Sequence, residues 1–228
     1  MTEQSNILFI SKKVSNKDFL VFCKNKGYQL IDQSMIRFTD LNFLTPDPES
    51  YSVIFFSSKR AVDFFLAKVT PEPHHIIACI GSSTAEALEK WGIKADFIPK
   101  KSGQPETVSK QFELFVGDRT VLFPQSNISH QSMQRRLTDD KTINLVVYET
   151  YLSPRKLVEK PSVVVFTSPS NVRAYLQMNT INPTEQKVIA WGTTTASYLK
   201  QSNIEPDVTL SESSLEELVG VLRGKFKT

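Results

Sequence analysis

The chain has 228 residues, 40% of them hydrophobic and 22% charged, with a formal net charge of +3. That length suits one large domain or two small ones, the composition is that of a globular protein, and so slight a positive balance gives no ground for nucleic-acid binding. No apolar run reaches the length of a membrane span, the N-terminal run is too short for a secretory signal, and Cys23 and Cys79 form no CxxC motif, so a cytoplasmic chain with reduced, packed thiols is expected.

In chain order, residues 6–11 (NILFIS) make a short apolar strand, and 18–26 a helix with Phe19, Leu20, Phe22 and Cys23 along its apolar face, closed by Gly27. Residues 28–32 and 35–38 read as extended, and Pro46 and Pro48 mark a loop. The run 53–56 (VIFF) is apolar throughout, as in a strand buried on both faces. A helix over 61–66 follows, and Pro71 and Pro73 break the chain; His74 and His75 just beyond are expected in solvent. Next come a strand at 76–80, a helix at 83–91 closed by Gly92, a short strand at 96–99, a polar loop at 100–104 and a helix at 106–115. A strand at 120–124, a helix at 129–137 and a long strand at 143–151 complete the middle of the chain. The remainder alternates again: strand 163–166, helix 170–176, strand 188–191, a helix through 196–200, a short strand at 206–209 and a last helix at 214–222. Ser213 or Ser214 would cap that helix, with Glu216 and Glu217 near its positive end. Alternating strands and helices with buried strands mean α/β architecture, with parallel sheets covered by helices on both sides. In such sheets ligands bind beyond the carboxyl ends of the strands.

Two stretches repeat. IIACIGSSTAEAL around Gly81 matches VIAWGTTTASYL around Gly192, 111 positions on, and IFFSSKRAVDFFL around Ser58 matches VVFTSPSNVRAYL around Ser168, 110 positions on. Near-constant spacing implies two related halves, which usually face each other across a cleft. Gly192 is expected to take a backbone angle that other residues resist, with a threonine hydroxyl capping the helix after it.

Hydroxyl-bearing residues gather at the strand ends. The stretches are Ser57, Ser58, Lys59 and Arg60; Gly81, Ser82, Ser83 and Thr84; Gln125, Ser126, Asn127, Ile128 and Ser129; Thr167, Ser168, Pro169, Ser170 and Asn171; and Gly192, Thr193, Thr194 and Thr195. Any one group reads equally as a helix cap. Together, at the edge where a shared ligand would sit, they favour a polyanion held by backbone amides and hydroxyls. No GxGxxG follows a strand and no GxxxxGK[ST] occurs, so neither a dinucleotide nor a nucleoside-triphosphate site is supported. His74, His75 and His130 have no partners at metal-ligand spacing. Tyr148, in VVYET, is either a strand aromatic or the one titratable group of mechanistic interest.

The ordered set of FFSS and FTSPS, each before a helix, IGSSTAEALEKWGIKADFIP, VLFP, VVYET and WGTTTASYLKQSNIEPDV with a closing SLEELV resembles the uroporphyrinogen-III synthase family over nearly the whole chain. The resemblance implies two similar α/β domains joined by a two-strand crossover, with a cleft between them: residues 1–35 and 152–228 in one, 38–147 in the other, and crossings near 34–38 and 146–151. It implies a cytosolic enzyme of tetrapyrrole synthesis that closes the linear hydroxymethylbilane into uroporphyrinogen III, inverting the last pyrrole ring and losing water, with neither metal nor organic cofactor. Tyr148 matches the tyrosine of the family's YxT motif, as a general acid for the departing hydroxyl. Where the family has Thr-Arg-Pro after its first strand this chain has Ser11-Lys12-Lys13, so Ser11 and Lys12 are the candidates there; the family's glycine after VLFP is replaced by Gln125-Ser126. The expected partner is a linear tetrapyrrole polycarboxylate alone, and the chain is read as a monomer without nucleic-acid or membrane contacts. A non-enzymatic two-domain clamshell for a small anionic metabolite, or a glycosyltransferase-like enzyme, would carry similar hydroxyl-lined loops.

Overall fold

Four-residue apolar runs, too short for helices, become the central strands because burial on both faces suits them. The computed structural model describes residues 6–99 and 105–224, so the expected loop at 100–104 lies outside the described residues. The chain divides into two compact units, Met1–Arg37 with Tyr151–Thr228, and Phe38–Thr150. In chain order the elements are β1 (Ile7–Ile10), α1 (Lys17–Asn25), β2 (Gln29–Asp32), β3 (Ile36–Asp40), β4 (Val53–Phe56), α2 (Lys59–Leu66), β5 (Ile76–Cys79), α3 (Ser82–Lys90), α4 (Pro105–Val116), β6 (Val121–Ser126) and β7 (Thr142–Leu152). They continue with β8 (Val163–Phe166), α5 (Pro169–Leu176), β9 (Lys187–Ala190), α6 (Thr193–Gln201), β10 (Val208–Thr209) and α7 (Leu215–Gly224).

The first unit's sheet has the order β10-β9-β8-β1-β2, and the second unit's β3-β7-β6-β4-β5. The pairs β1–β2, β1–β8, β8–β9 and β9–β10 are parallel, as are β4–β5, β4–β6 and β6–β7. The two sheets are therefore built alike. From the central pair β8–β1 the chain proceeds outward one way through β9 and β10 and the other way through β2; from β4–β6 it goes one way to β5 and the other to β7. Each pair is a topological switch point, where open α/β sheets leave a crevice at the strand ends.

Strand alternation sends neighbouring residues to opposite faces. In the first unit Leu8 and Ile10 pack with Phe19 and Phe22 of α1 and Leu218 and Leu222 of α7, while Phe9 packs with Val172 and Tyr175 of α5 and Leu199 of α6. In the second unit Ile54 and Phe56 pack with Val62 and Phe65 of α2 and Leu88 of α3; Val53 and Phe55 pack with Val108, Phe112 and Val116 of α4. Met133, from an irregular segment, joins this last cluster.

Five expectations need correction. No helix forms over 129–137: the Oγ of Ser126 accepts from Ile128 N, that of Ser129 accepts from Gln131 N, and Gln131 adopts φ +49°. Side-chain bonds of this kind offer the backbone an alternative to helix, and only a short 3-10 turn survives at Gln134–Arg136. The strand expected at 96–99 is a single bridge between Ala78 and Phe97, with the Asp96 carboxylate accepting the Ile77 N–H at 2.8 Å beside it. Strand β6 runs on through Pro124 to Ser126; its pairing with β4 ends at Leu122, so the proline's missing N–H interrupts no rung there. His75 is buried, not solvated: it stacks on Tyr51 at 4.6 Å, accepts from Glu72 N at Nδ1, and so carries its proton on Nε2, which donates to the Pro48 carbonyl. Gly192 has φ −178°, ordinary extended backbone; close approach is its distinction, since a Cβ there would stand 3.2 Å from Ser213 Oγ. The helix after it has no side-chain cap.

Candidate functional site

The candidate residues fall at the carboxyl ends of the parallel strands of each unit, and the two switch points treat them differently. In the first unit, Thr167 N donates to Ser11 Oγ at 2.8 Å, Thr167 Oγ1 donates to the Ser11 carbonyl at 3.1 Å, and the two hydroxyls lie 3.1 Å apart. Ser11 is 1% exposed. These two residues satisfy each other and close the end of β1 against the end of β8. Lys12 next to them holds its ammonium over the Trp191 ring at 3.7 Å, a cation–π contact. Ser168 caps α5, its Oγ accepting from Asn171 N and from Asn171 Nδ2. The buried Asn171 turns its Oδ1 to the Met35 N–H at 2.8 Å, holding the chain just before β3. Ser170, in the first turn of α5, is half-buried.

In the second unit the switch point stays open. A pocket of about 240 Å³ lies there, lined by Ser57 and Ser58 after β4, Ser126 at the end of β6, Tyr148 of β7, and the irregular residues from Ile128 to Gln134. Tyr148 is only 7% exposed. Its ring stacks on Phe64 at 5.0 Å and meets Phe38 edge-on at 6.0 Å. Its hydroxyl is 3.3 Å from Ser58 Oγ, which also accepts from Ala61 N as the cap of α2. The aim of this phenol comes from a bulge: Gln125 pairs with Val146 and Ser126 with Tyr148, leaving Val147 as an extra residue on β7. Bulges redirect side chains in this way. Gln125 is buried and engaged, donating to Asn144 Oδ1 and accepting from Gln134 Nε2.

Helix starts come in two kinds. Those of α2 and α5 are capped by Ser58 and Ser168. Those of α3 and α6 begin at Gly81 and Gly192 with no side-chain cap, so their first N–H groups are the sort that hold anions. Ser82, Ser83, Thr193 and Thr194 are exposed there, whereas Thr84 and Thr195, at matching places in the repeat, are buried. Lys59 and Ser57 are exposed at the start of α2.

Arg60 adds a charge that the strand-end hydroxyl pattern does not single out. Its guanidinium sits 3.6 Å from the Phe38 ring. It keeps exposed surface, yet crowding by its neighbours lowers its pKa while Tyr148 and Asp63 pull it back up. It remains a cation at neutral pH. Burial pushes the Cys79 thiol up, partly offset by the Gly81 carbonyl, and raises Cys23 to about 11, so neither is a nucleophile. Sequence reasoning places Asn127 in the polar loop after Pro124 without a role of its own, and passes over the pocket wall from His130 to Gln134. The signal for the wall was a polar run, QSNISHQS, without helical periodicity; a φ of +49° at Gln131 leaves no mark in sequence. The open pocket, a phenol in reach of a serine hydroxyl, and uncapped helix starts can bind carboxylates and pass a proton to a departing oxygen.

A family model described as uroporphyrinogen-III synthase HemD matches residues 18–220. The uroporphyrinogen-III synthase of Chlorobaculum parvum is 24% identical over 184 residues, covering 72% of this chain and 75% of its own. The crystal structure of uroporphyrinogen-III synthetase from Helicobacter pylori aligns with a TM-score of 0.69 at 21% identity, over 96% of this chain and 98% of that one. A mutant uroporphyrinogen III synthase from Thermus thermophilus aligns with a TM-score of 0.65 at 12% identity, over 95% and 97%. At these identities the structural likeness establishes the fold.

Proposed function

The chain belongs to the uroporphyrinogen-III synthase family, and from that premise we propose that it cyclises hydroxymethylbilane to uroporphyrinogen III, inverting the last pyrrole ring and releasing water. Each pyrrole of that substrate carries an acetate and a propionate, so the ligand is a polyanion. Exposed Ser57, Lys59, Ser82, Ser83, Thr193 and Thr194, with the bare starts of α3 and α6, take carboxylates through hydroxyls and backbone N–H groups. Lys12 supplies charge in the first unit.

One observation carries the reading most: the Tyr148 phenol, beside Ser58, lines a polar pocket at the open switch point. The terminal hydroxyl of the bilane leaves as water, taking the phenol proton, and the last ring attacks the resulting azafulvenium through its already substituted α-carbon, giving a spiro intermediate. The bond from that carbon to its former bridging methylene then breaks, and the ring's free α-carbon takes up the released methylene, which inverts the ring. The proton released when that ring regains aromaticity restores the phenol. Proton delivery accounts for rate. Isomer choice comes from positioning, because the free bilane closes by itself to the unrearranged isomer. The reading needs neither metal nor organic cofactor, and takes the chain to act as a cytoplasmic monomer; among the described residues no helix is long and apolar enough to cross a membrane.

The test is incubation of the purified, chelator-treated chain with hydroxymethylbilane, followed by separation of the product isomers. Accelerated formation of the type III isomer is expected. A type I product at the uncatalysed rate would overturn the proposal and leave a metabolite-binding clamshell as the better reading.

A further inference from the structure

Strand β6 ends at Ser126, and the chain turns away at the next residue, yet β7 continues beyond that point through Tyr148 to Leu152. β7 has β3 on its other edge, but on the β6 side its ladder should stop there. Here Asn127 supplies one more rung. Its backbone N–H donates to the Tyr148 carbonyl at 3.3 Å, as the next residue of a parallel strand would. Its own carbonyl would then be due to accept from Thr150 N; the side-chain Oδ1 does so instead, at 2.8 Å. By substituting amide for backbone, Asn127 lets the main chain leave for the pocket wall while β7 stays held on both sides of the tyrosine. Tyr148 sits at a bulge, where the ladder is locally disrupted and orientation is least determined by pairing. In the first unit the backbone itself carries the rung beyond β1, where Gln33 N donates to the Ile10 carbonyl, and the end of β1 is closed by Thr167.

We infer that Asn127 is a positioning residue for the Tyr148 phenol, acting through the backbone of β7. The inference rests on the reading of Tyr148 given above. Removing the acceptor leaves the Thr150 N–H without its partner at a buried residue and loosens the β6-side edge of the bulged strand, with β3 alone left to hold the other. A small misplacement of a reacting group costs rate more than binding.

The experiment is a double-mutant cycle on turnover of hydroxymethylbilane, with melting curves for each variant and assays below the transition. Asn127→Ala is expected to lower kcat about tenfold with KM within about twofold. Asn127→Asp, which keeps an acceptor oxygen, is expected to return kcat to near the wild-type value. In the Tyr148→Phe background Asn127→Ala is expected to have no further effect, since the group it aims is gone. If Asn127→Ala does not fold, Asn127→Leu, which keeps bulk without the acceptor, replaces it. Folded Asn127→Ala with wild-type kcat, failure of Asn127→Asp to restore it, or an equal loss in the Tyr148→Phe background would each overturn the inference while leaving Tyr148 in the mechanism. Tyr148→Phe at the wild-type rate would instead overturn the reading of Tyr148, and the inference with it.

Discussion

The two switch points of this molecule start from the same sheet order and end differently. In the first unit the strand ends are sealed by Ser11 and Thr167, and the connection from β1 to β2 is a regular helix, α1, whose Phe19 and Phe22 fill the core beside α7. In the second unit the corresponding connection, from β6 to β7, is irregular; Met133 is buried in the core beside α4 with Leu137 packed partly buried against the same cluster, and the polar residues around Met133 wall a pocket that reaches Tyr148. Packing and opening are alternative uses of one position in the fold. A helix covers the sheet with two aromatics, whereas a turn-rich segment covers it with one thioether and a partly buried leucine and leaves room for a ligand.

The largest test of this contrast is on the two plugs. Phe19→Ala should destabilise its unit by about 3–5 kcal/mol, and Met133→Ala its own by about 2–3, because both vacate fully enclosed space but methionine fills less of it. Urea unfolding checks the pair; a negligible cost at Met133 would mean that the irregular segment does not cover the core as α1 does.

The buried phenol of Tyr175, in the first unit, offers a second test. Tyr175 is 1% exposed and burial raises it to about 12, with Gln186 partly offsetting. A phenol whose folded pKa lies above its ordinary 10 adds stability that is fully present below pH 10 and lost as pH rises toward 12. The loss approaches about 2 kcal/mol, so wild type should weaken over that window more steeply than Tyr175→Phe. Equal alkaline profiles would mean that Tyr175 does not stay protonated in the fold.

Smaller in stability, but sharper in function, is the pair of capping serines. Ser58→Ala and Ser168→Ala should each cost about 1 kcal/mol, since each removes one N-cap bond. Only Ser58→Ala should also lower kcat, because Ser58 faces the phenol and Ser168 faces Asn171. Equal effects of the two on turnover would erase the distinction between the units.

Much of this fold is legible in the sequence. VIFF and VVVF read as short strands buried on both faces, and the GSSTAEAL and GTTTASYL repeat marks strand, turn and helix twice. What is not legible depends on side chains competing with backbone. Ser126 and Ser129 each take an N–H that a helix would have used, and no periodicity reports that. The site is legible in part for the same reason. Hydroxyls at strand ends identify the edge, but only coordinates separate Ser11, Asn171 and Gln125, which serve neighbouring groups, from Ser57, Ser58 and Ser126, which face the pocket. Asn127 looks like any turn residue until its Oδ1 is seen on Thr150.

The central claim is that the second unit's open switch point does the bond-breaking through Tyr148, and single-turnover kinetics of Tyr148→Phe with isomer analysis test it most directly. The account predicts loss of water slowed about ten- to a hundredfold, an unchanged melting temperature, and product that is still the type III isomer, because geometry and not the phenol selects it. Turnover at the wild-type rate would contradict the account and leave positioning as the whole of the catalysis.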